Sequence, residues 1–196
     1  MHTLSSASHT PWQELILGGQ KSGKTRRAEQ IARNWLHASA QHQAVYLATG
    51  QAWDAEMRER ISRHQLERAE RVPGMHTHES PLDVAGALQR YSAPDTLVVV
   101  DCLTMWLTNW MMPVQADQGG AVRSQGWRVQ RGLFLEILAQ SPGPVVLVGN
   151  EIGLGVIPMG QAVRQFVDAL GVLNQDTARI CTKVTLMAAG LPLQLK

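Results

Sequence analysis

Short apolar runs rich in β-branched residues recur along the chain: ELIL (14–17), AVYLAT (44–49), TLVVVD (96–101), PVVLVG (144–149) and KVTLM (183–187). Between them lie longer stretches whose apolar residues return every three to four positions, the spacing of one helix face. Strands alternating with helices build βαβ units, so the pattern predicts an α/β fold with a largely parallel sheet covered by helices on both faces. LVVV and VVLV are almost unbroken in apolarity, which marks central strands buried on both sides. No repeat or low-complexity block divides the chain. The expected organisation is a flexible extension over residues 1–13 and a single domain over 14–196. The segment PVQADQGGAVRSQG (113–126) reads as a surface connection within that domain.

Composition narrows the class of partner. With 196 residues and 44% hydrophobic content, the chain fills one sizeable core. Lys and Arg outnumber Asp and Glu by only 18 to 16, too little for a protein held to nucleic acid by bulk charge, so an anionic partner must be recognised locally. Cys102 and Cys181 lie far apart in apolar surroundings, without CxxC spacing, which fits a reduced cytoplasmic protein. The N-terminal MHTLSSASHTPWQ has neither a basic segment nor a continuous apolar one, and CLTMWLTNWMM (102–112) is too short and too interrupted to cross a bilayer.

The chemistry starts where the first strand ends. Gly18, Gly19, Gln20, Lys21, Ser22, Gly23, Lys24 and Thr25 fit G-x-x-x-x-G-K-[ST] between a strand and a helix. Glycines let successive backbone N–H groups converge on phosphate oxygens, and the following helix N-terminus adds its positive dipole end. Lys24 supplies a mobile cation, and Thr25 a hydroxyl for Mg²⁺. A phosphate-bound Mg²⁺ needs a carboxylate at the end of a neighbouring strand, where TLVVVD places Asp101. The plainer alternative has Asp101 capping the helix LTMWLTNW that follows. Asn150 and Glu151 also follow a central strand, at the edge where α/β folds place ligands.

Asp54 opens a helical segment, DAEMRERISRHQLER, with Glu-Arg pairs four apart. Met57, Ile61 and His64 recur at spacings of four and three, which predicts an inward-facing histidine. Spacing alone favours a core residue there over a catalytic one. His76 and His78 flank Thr77 at strand spacing, and without a third ligand nearby they read as exposed strand residues. Trp106 and Trp110, with Leu103 and Leu107, make an apolar helix surface suited to the core or to a subunit contact.

Taken in order, GGQKSGKT, YLATGQAWDAEMRERISRH (46–64), VVVDCLTMWLTN (98–109), VVLVGNEIGLGVIP (145–158) and RQFVDALGVLNQ (164–175) resemble the motifs of one family. That family is the bifunctional adenosylcobinamide kinase and adenosylcobinamide-phosphate guanylyltransferase of cobalamin biosynthesis, a P-loop nucleotide-binding fold that assembles as a trimer. The resemblance runs from Leu15 to Lys196. It implies phosphorylation of adenosylcobinamide by ATP or GTP, then transfer of GMP from GTP to adenosylcobinamide phosphate through a covalent GMP-histidine, with His64 as the nucleophile, Lys24 neutralising charge, and Mg²⁺ on Thr25 and Asp101. It further places nucleotide contacts on residues 18–25, on Thr49, Gly50 and Gln51, on Gln65, Leu66, Glu67 and Arg68, and on Glu79 and Asp101. The chain departs from the family pattern in a longer segment after His64, with Met75 where a tryptophan is usual, in Met159-Gly160, and in Gln20-Lys21. Two alternatives stay open: a relative with only one of the two activities, and a non-catalytic nucleotide-binding regulator.

Overall fold

The computed structural model describes residues 11–112, 120–156 and 158–196. Strands β1 (Gln13–Gly18), β2 (Gln43–Ala48), β3 (Met75–Glu79), β4 (Thr96–Asp101), β5 (Val145–Val148), β6 (Lys183–Ala188) and β7 (Leu191–Gln194) form one sheet in the order β3-β2-β4-β5-β1-β6-β7. Only β6 and β7 pair antiparallel; the other neighbours are parallel. The connections are helices α1 (Lys24–Ala38), α2 (Ala55–Arg71), α3 (Val84–Tyr91), α4 (Leu103–Met111), α5 (Gly120–Gln140) and α6 (Gln161–Ile180).

Strand alternation sorts the core into two layers. Leu15, Leu17, Val45, Leu47, Val98, Val100, Val145 and Leu147 pack with α3 to α6. Ile16, Ala44, Tyr46, Leu97, Val99, Val146 and Val148 pack with Ala28, Ala32 and Trp35 of α1 on the other face. Asp101, two residues beyond Val99, therefore ends β4 on the α1 side of the sheet. The order β4-β5-β1 sets the C-terminal ends of those strands side by side, and that edge carries the site.

The predicted strands stand where the hydrophobic runs lie. Two edge strands escaped that reading as parts of the sheet. β3 (MHTHE) has no inward apolar set, and β7 (LPLQ) is exposed throughout; backbone pairing to a neighbour, not burial, holds each in place. The surface connection at 113–126 needs correction, because α5 already begins at Gly120, while residues 113–119 lie outside the described residues. The glycine at 126 that suggested a loop is there for packing: a Cβ on it would lie 2.8 Å from the Trp110 ring. Of the N-terminal extension, residues 1–10 lie outside the described residues. Trp12 and Gln13 belong to the sheet, Trp12 packing on the α1 layer and Gln13 opening β1.

Trp106 is fully buried, edge-on to Trp127 and Phe134, and it and Trp110 both donate their indole N–H to the Leu82 carbonyl. This is the core role. No helix of the described residues is long and apolar enough to cross a membrane. Both cysteines are free, and burial pushes each thiol up to about 12. At pH 8 roughly one thiol in 10⁴ is then ionised. Ellman's reagent should accordingly find no fast-reacting thiol in the native protein and both on denaturation; a native thiol reacting at the rate of a free one would contradict the burial.

Candidate active site

The phosphate loop is built on a close approach. Gly18 ends β1 at φ 154°, and a Cβ there would meet the Met187 carbonyl at 2.5 Å and the Ser22 hydroxyl at 2.6 Å. Only glycine lets β1 turn out of the sheet so close to β6. The Gly190 N–H donates to the Ser22 carbonyl (3.1 Å), so the β6–β7 turn braces the loop from behind. Gly23, at φ 97°, leads into α1 without a side-chain cap and without acidic residues in the first turn. The helix's first N–H groups thus remain available to an anion. Gly19, Gln20 and Lys21 are exposed. Lys24 is buried and donates through Nζ to the Gly19 carbonyl at 2.6 Å. Burial lowers its pKa, and the Asp101 carboxylate opposes that fall.

The Asp101 side chain takes two hydrogen bonds on one oxygen: Thr25 Oγ1 donates to Oδ2 at 2.7 Å, and Tyr46 Oη at 2.8 Å. The alternative reading of Asp101 as a helix cap is excluded, since the Cys102 sulfur caps α4 by accepting from the Met105 N–H. A hydroxyl and a carboxylate in contact at a phosphate loop form a hard-oxygen donor set, which suits Mg²⁺. Among the described residues no group of three His, Cys, Asp or Glu side chains could hold a metal, so the remaining ligands of such an ion would be phosphate oxygens and water.

Tyr46 was not legible as a site residue, although alternation in AVYLAT puts it on the Asp101 face. Burial, and next the Asp101 charge, raise its pKa well above the ordinary value, so the phenol stays protonated and donates. The Arg68 guanidinium stacks over its ring at 3.7 Å and donates to Thr77 Oγ1 from Nε and Nη2. Tyr46→Phe removes a hydrogen bond to a charged group, about 1.5–3 kcal/mol. Tyr46→Leu removes the guanidinium–ring contact as well, a further ~1–2 kcal/mol. Chemical denaturation should therefore rank wild type above Phe above Leu; equal loss in the two variants would mean that Arg68 contributes nothing through the ring.

Helix α2 starts where the sequence indicates, with Asp54 accepting from the Met57 N–H at 2.7 Å. Its inward seam differs from the expected one. Met57, Ile61, Gln65 and Glu67 are half-buried and Arg68 is buried, whereas the His64 side chain is 48% exposed. At about 100° per residue position 64 falls about 20° from Met57, at the border of the covered arc, so the helical period alone does not separate it from the seam. With that exposure the histidine is not sealed in packed hydrocarbon, and its Nδ1 lies 3.8 Å from the Glu67 carboxylate. Glu67 also accepts from Arg71 at 2.7 Å, and Arg71 reaches the buried Glu29 of α1 at 3.0 Å. Gln65, Leu66, Glu67 and Arg68 point in four directions: Gln65 donates to Glu79 at the end of β3, Leu66 faces solvent, and Arg68 is taken up by Tyr46 and Thr77.

Thr49, Gly50 and Gln51 follow β2 beside α2, where a Cβ on Gly50 would touch Ile61. The Thr49 hydroxyl is fully buried, donating to the Cys102 carbonyl and accepting from the Cys102 N–H. Asn109, another residue sequence reasoning missed, donates to the Thr49 and Pro81 carbonyls and ties this turn to α4. Beyond β5, the Asn150 N–H donates to Thr104 Oγ1 and its carbonyl accepts from Asn174, while the Glu151 N–H donates to the Gly18 carbonyl at 3.2 Å. The backbones of Asn150 and Glu151 are therefore pinned to the phosphate loop and its neighbours. His76 is exposed and His78 meets Tyr91.

Known proteins are similar to this chain in sequence. A bifunctional adenosylcobalamin biosynthesis protein of Pseudomonas aeruginosa, CobP, is 41% identical over 187 residues, covering 94% of this chain and 97% of its own length. Its counterpart in Escherichia coli, CobU, is 30% identical over 191 residues, covering 93% and 98%. Among solved structures, a KaiC-like protein of Pyrococcus horikoshii covers 89% of this chain and 70% of its own at a TM-score of 0.44 and 13% identity, a likeness too loose to carry function. The model of the family described as cobinamide kinase / cobinamide phosphate guanyltransferase matches residues 14–195, from the first strand through the last, and takes in the phosphate loop, Asp101 and the helix that bears His64. The chain belongs to that family.

Proposed function

We propose that this chain phosphorylates the hydroxyl of adenosylcobinamide with ATP or GTP, then transfers GMP from GTP through His64 to the resulting phosphate, giving adenosylcobinamide-GDP and pyrophosphate. The observation that carries this reading is the paired arrangement at one sheet edge. A phosphate loop with Thr25 on Asp101 is joined, through Tyr46 and Arg68, to the helix presenting an accessible imidazole one turn away.

Triphosphate seats on residues 18–25, its oxygens facing the N–H groups of the loop and of the first turn of α1. Lys24 then exchanges the Gly19 carbonyl for phosphate. Thr25 and Asp101 would hold Mg²⁺, which would neutralise charge on the phosphates. Tyr46 keeps the Asp101 carboxylate oriented. Nδ1 of His64 faces Glu67, which leaves Nε2 to attack the α-phosphorus; the bond from that phosphorus to its bridging oxygen breaks and pyrophosphate departs. The Nδ1 proton stays on the ring, its positive charge offset by Glu67, so that the ring can later leave as neutral imidazole. The acceptor phosphate then attacks the same phosphorus, and the imidazole departs. Gly50, Gln51, Gln65 and Glu79 serve as further nucleotide contacts, in a trimeric cytoplasmic enzyme as the family resemblance implies.

The test is incubation with α-labelled GTP and Mg²⁺. Acid-labile, alkali-stable label on the protein, chased into product by the acceptor phosphate, is the expected result. Turnover without any labelled protein intermediate would remove the covalent route.

A further inference from the structure

A groove of about 550 Å³ runs between the segment after β5 and helix α6. Its α6 wall is the seam Arg164, Asp168, Gly171 and Gln175, spaced four, three and four apart on one helix face. The opposite wall is formed by Ile152, Gly155, Val156 and Pro158, with Val156 96% exposed, and Leu154 and Met159, exposed at 81% and 94%, belong to the same segment. Such a concentration of exposed apolar surface beside a concavity marks a place where something binds. Gly171 supplies a second, independent sign. It sits inside α6, where glycine costs about 1 kcal/mol relative to alanine, yet a Cβ on it would meet nothing within 4 Å. Packing does not require this glycine. Its effect is to keep the floor of the groove flat, and Gly155 on the other wall is likewise open.

Hydrogen bonds tie the walls of the groove to the phosphate loop. Asn174, next to Gln175, holds the Asn150 carbonyl, and the following Glu151 N–H is on the Gly18 carbonyl. Arg164 is engaged by the carbonyls of Pro158 and Met159, so the walls present apolar surface with Asp168 and Gln175 as the free polar groups. That is the wrong lining for a second nucleotide, which needs cationic or N–H donors for its phosphates. It suits a broad, nearly flat, hydrocarbon-edged molecule bearing uncharged amide arms.

We propose that this groove is the acceptor subsite, holding one edge and face of a corrin macrocycle against Gly171, Val156 and Ile152, with its carboxamide arms hydrogen-bonded to Asp168 and Gln175. The inference rests on the kinase and guanylyltransferase reading above. Held there, the macrocycle lies alongside the phosphate loop, and a single flexible arm carries its hydroxyl, later its phosphate, to both reaction centres while the ring stays in place.

The test uses the full-length protein and dicyanocobinamide as the probe, with Gly171→Leu, which fills the floor with a good helix former, and Val156→Asp, which charges the apolar wall. Equilibrium dialysis should show at least tenfold weaker binding in both variants, with the assembly mass in sedimentation as in wild type. The acceptor KM should rise by a similar factor, with the KM for GTP within twofold. Unchanged binding in both variants overturns the proposal, as does weakening confined to a variant whose assembly mass has changed, since the face would then belong to a second copy of the chain. The two readings fail separately. Wild type that is labelled by GTP but binds no dicyanocobinamide defeats the subsite alone; groove-dependent binding in a protein that GTP never labels defeats the covalent mechanism alone.

Discussion

His64→Ala should abolish protein labelling by α-labelled GTP and lower guanylyl transfer by at least about 10³-fold, while phosphorylation of the acceptor hydroxyl stays within a few-fold of wild type. The size follows from the role. Removing a covalent nucleophile leaves only binding and charge stabilisation at the reacting phosphorus, and such losses run to several orders of magnitude. The selectivity follows from the structure. His64 lies on α2 with its side chain half-exposed, and no hydrogen bond links it to the phosphate loop or to Asp101. Truncation to the best helix former in mid-helix leaves α2 intact. The variant's melting temperature should therefore match wild type, which separates loss of chemistry from loss of fold. Full labelling of His64→Ala would move the nucleophile elsewhere; parallel loss of both activities with an unchanged melting temperature would mean that the imidazole also serves the kinase step.

The same contrast shows what the sequence displays and what it conceals. The central strands were legible because burial on both faces forces continuous apolarity, as in LVVV and VVLV. The phosphate loop was legible because its backbone conformation admits few residues at Gly18 and Gly23. The seam of α2 was misread by one position. Met57 and Ile61 fit a seam continuing through either His64 or Gln65, and the spacing does not show that Arg68, its guanidinium over the Tyr46 ring, is the buried member. A buried arginine looks in sequence like one more member of a solvated charged face. Tyr46 was hidden for the related reason that a phenol in a strand reads as core until the register of β2 on β4, with Ala48 opposite Asp101, brings its hydroxyl to the carboxylate. Edge strands β3 and β7 left little trace because pairing through backbone groups leaves no hydrophobic period.

Residue by residue, these contacts link the two proposed chemistries. His64 and Arg68 are one turn apart on α2, Arg68 lies on Tyr46, and Tyr46 and Thr25 share one oxygen of Asp101. The helix that bears the nucleophile is thereby indexed to the carboxylate of the metal site. Arg71 to Glu29 adds a second tie, from α2 to α1. A helix otherwise poor in buried side chains is held by these two polar anchors, which fix its orientation more sharply than an apolar seam alone would.

Asp101→Asn should lower both activities, each by about 10²–10³-fold, because one carboxylate serves the triphosphate in either reaction. The amide oxygen can still accept from Thr25 or Tyr46, so the fold is retained and the loss reads on chemistry. The variant also carries a pH signature. Lys24 has a pKa lowered by burial, and the Asp101 charge is the largest influence holding it up. Phosphate binding needs the protonated ammonium, so activity falls as pH rises through the Lys24 pKa. Removing the Asp101 charge lowers that pKa further, and the alkaline limb of the kcat/KM profile, which reports the free enzyme, must move to lower pH in the variant. The same limb should appear in the kinase and guanylyl-transfer profiles, since one lysine serves both. A limb that stays put, or moves upward, would show that Asp101 does not act on Lys24. A shift in only one of the two reactions would show that they do not share one phosphate loop.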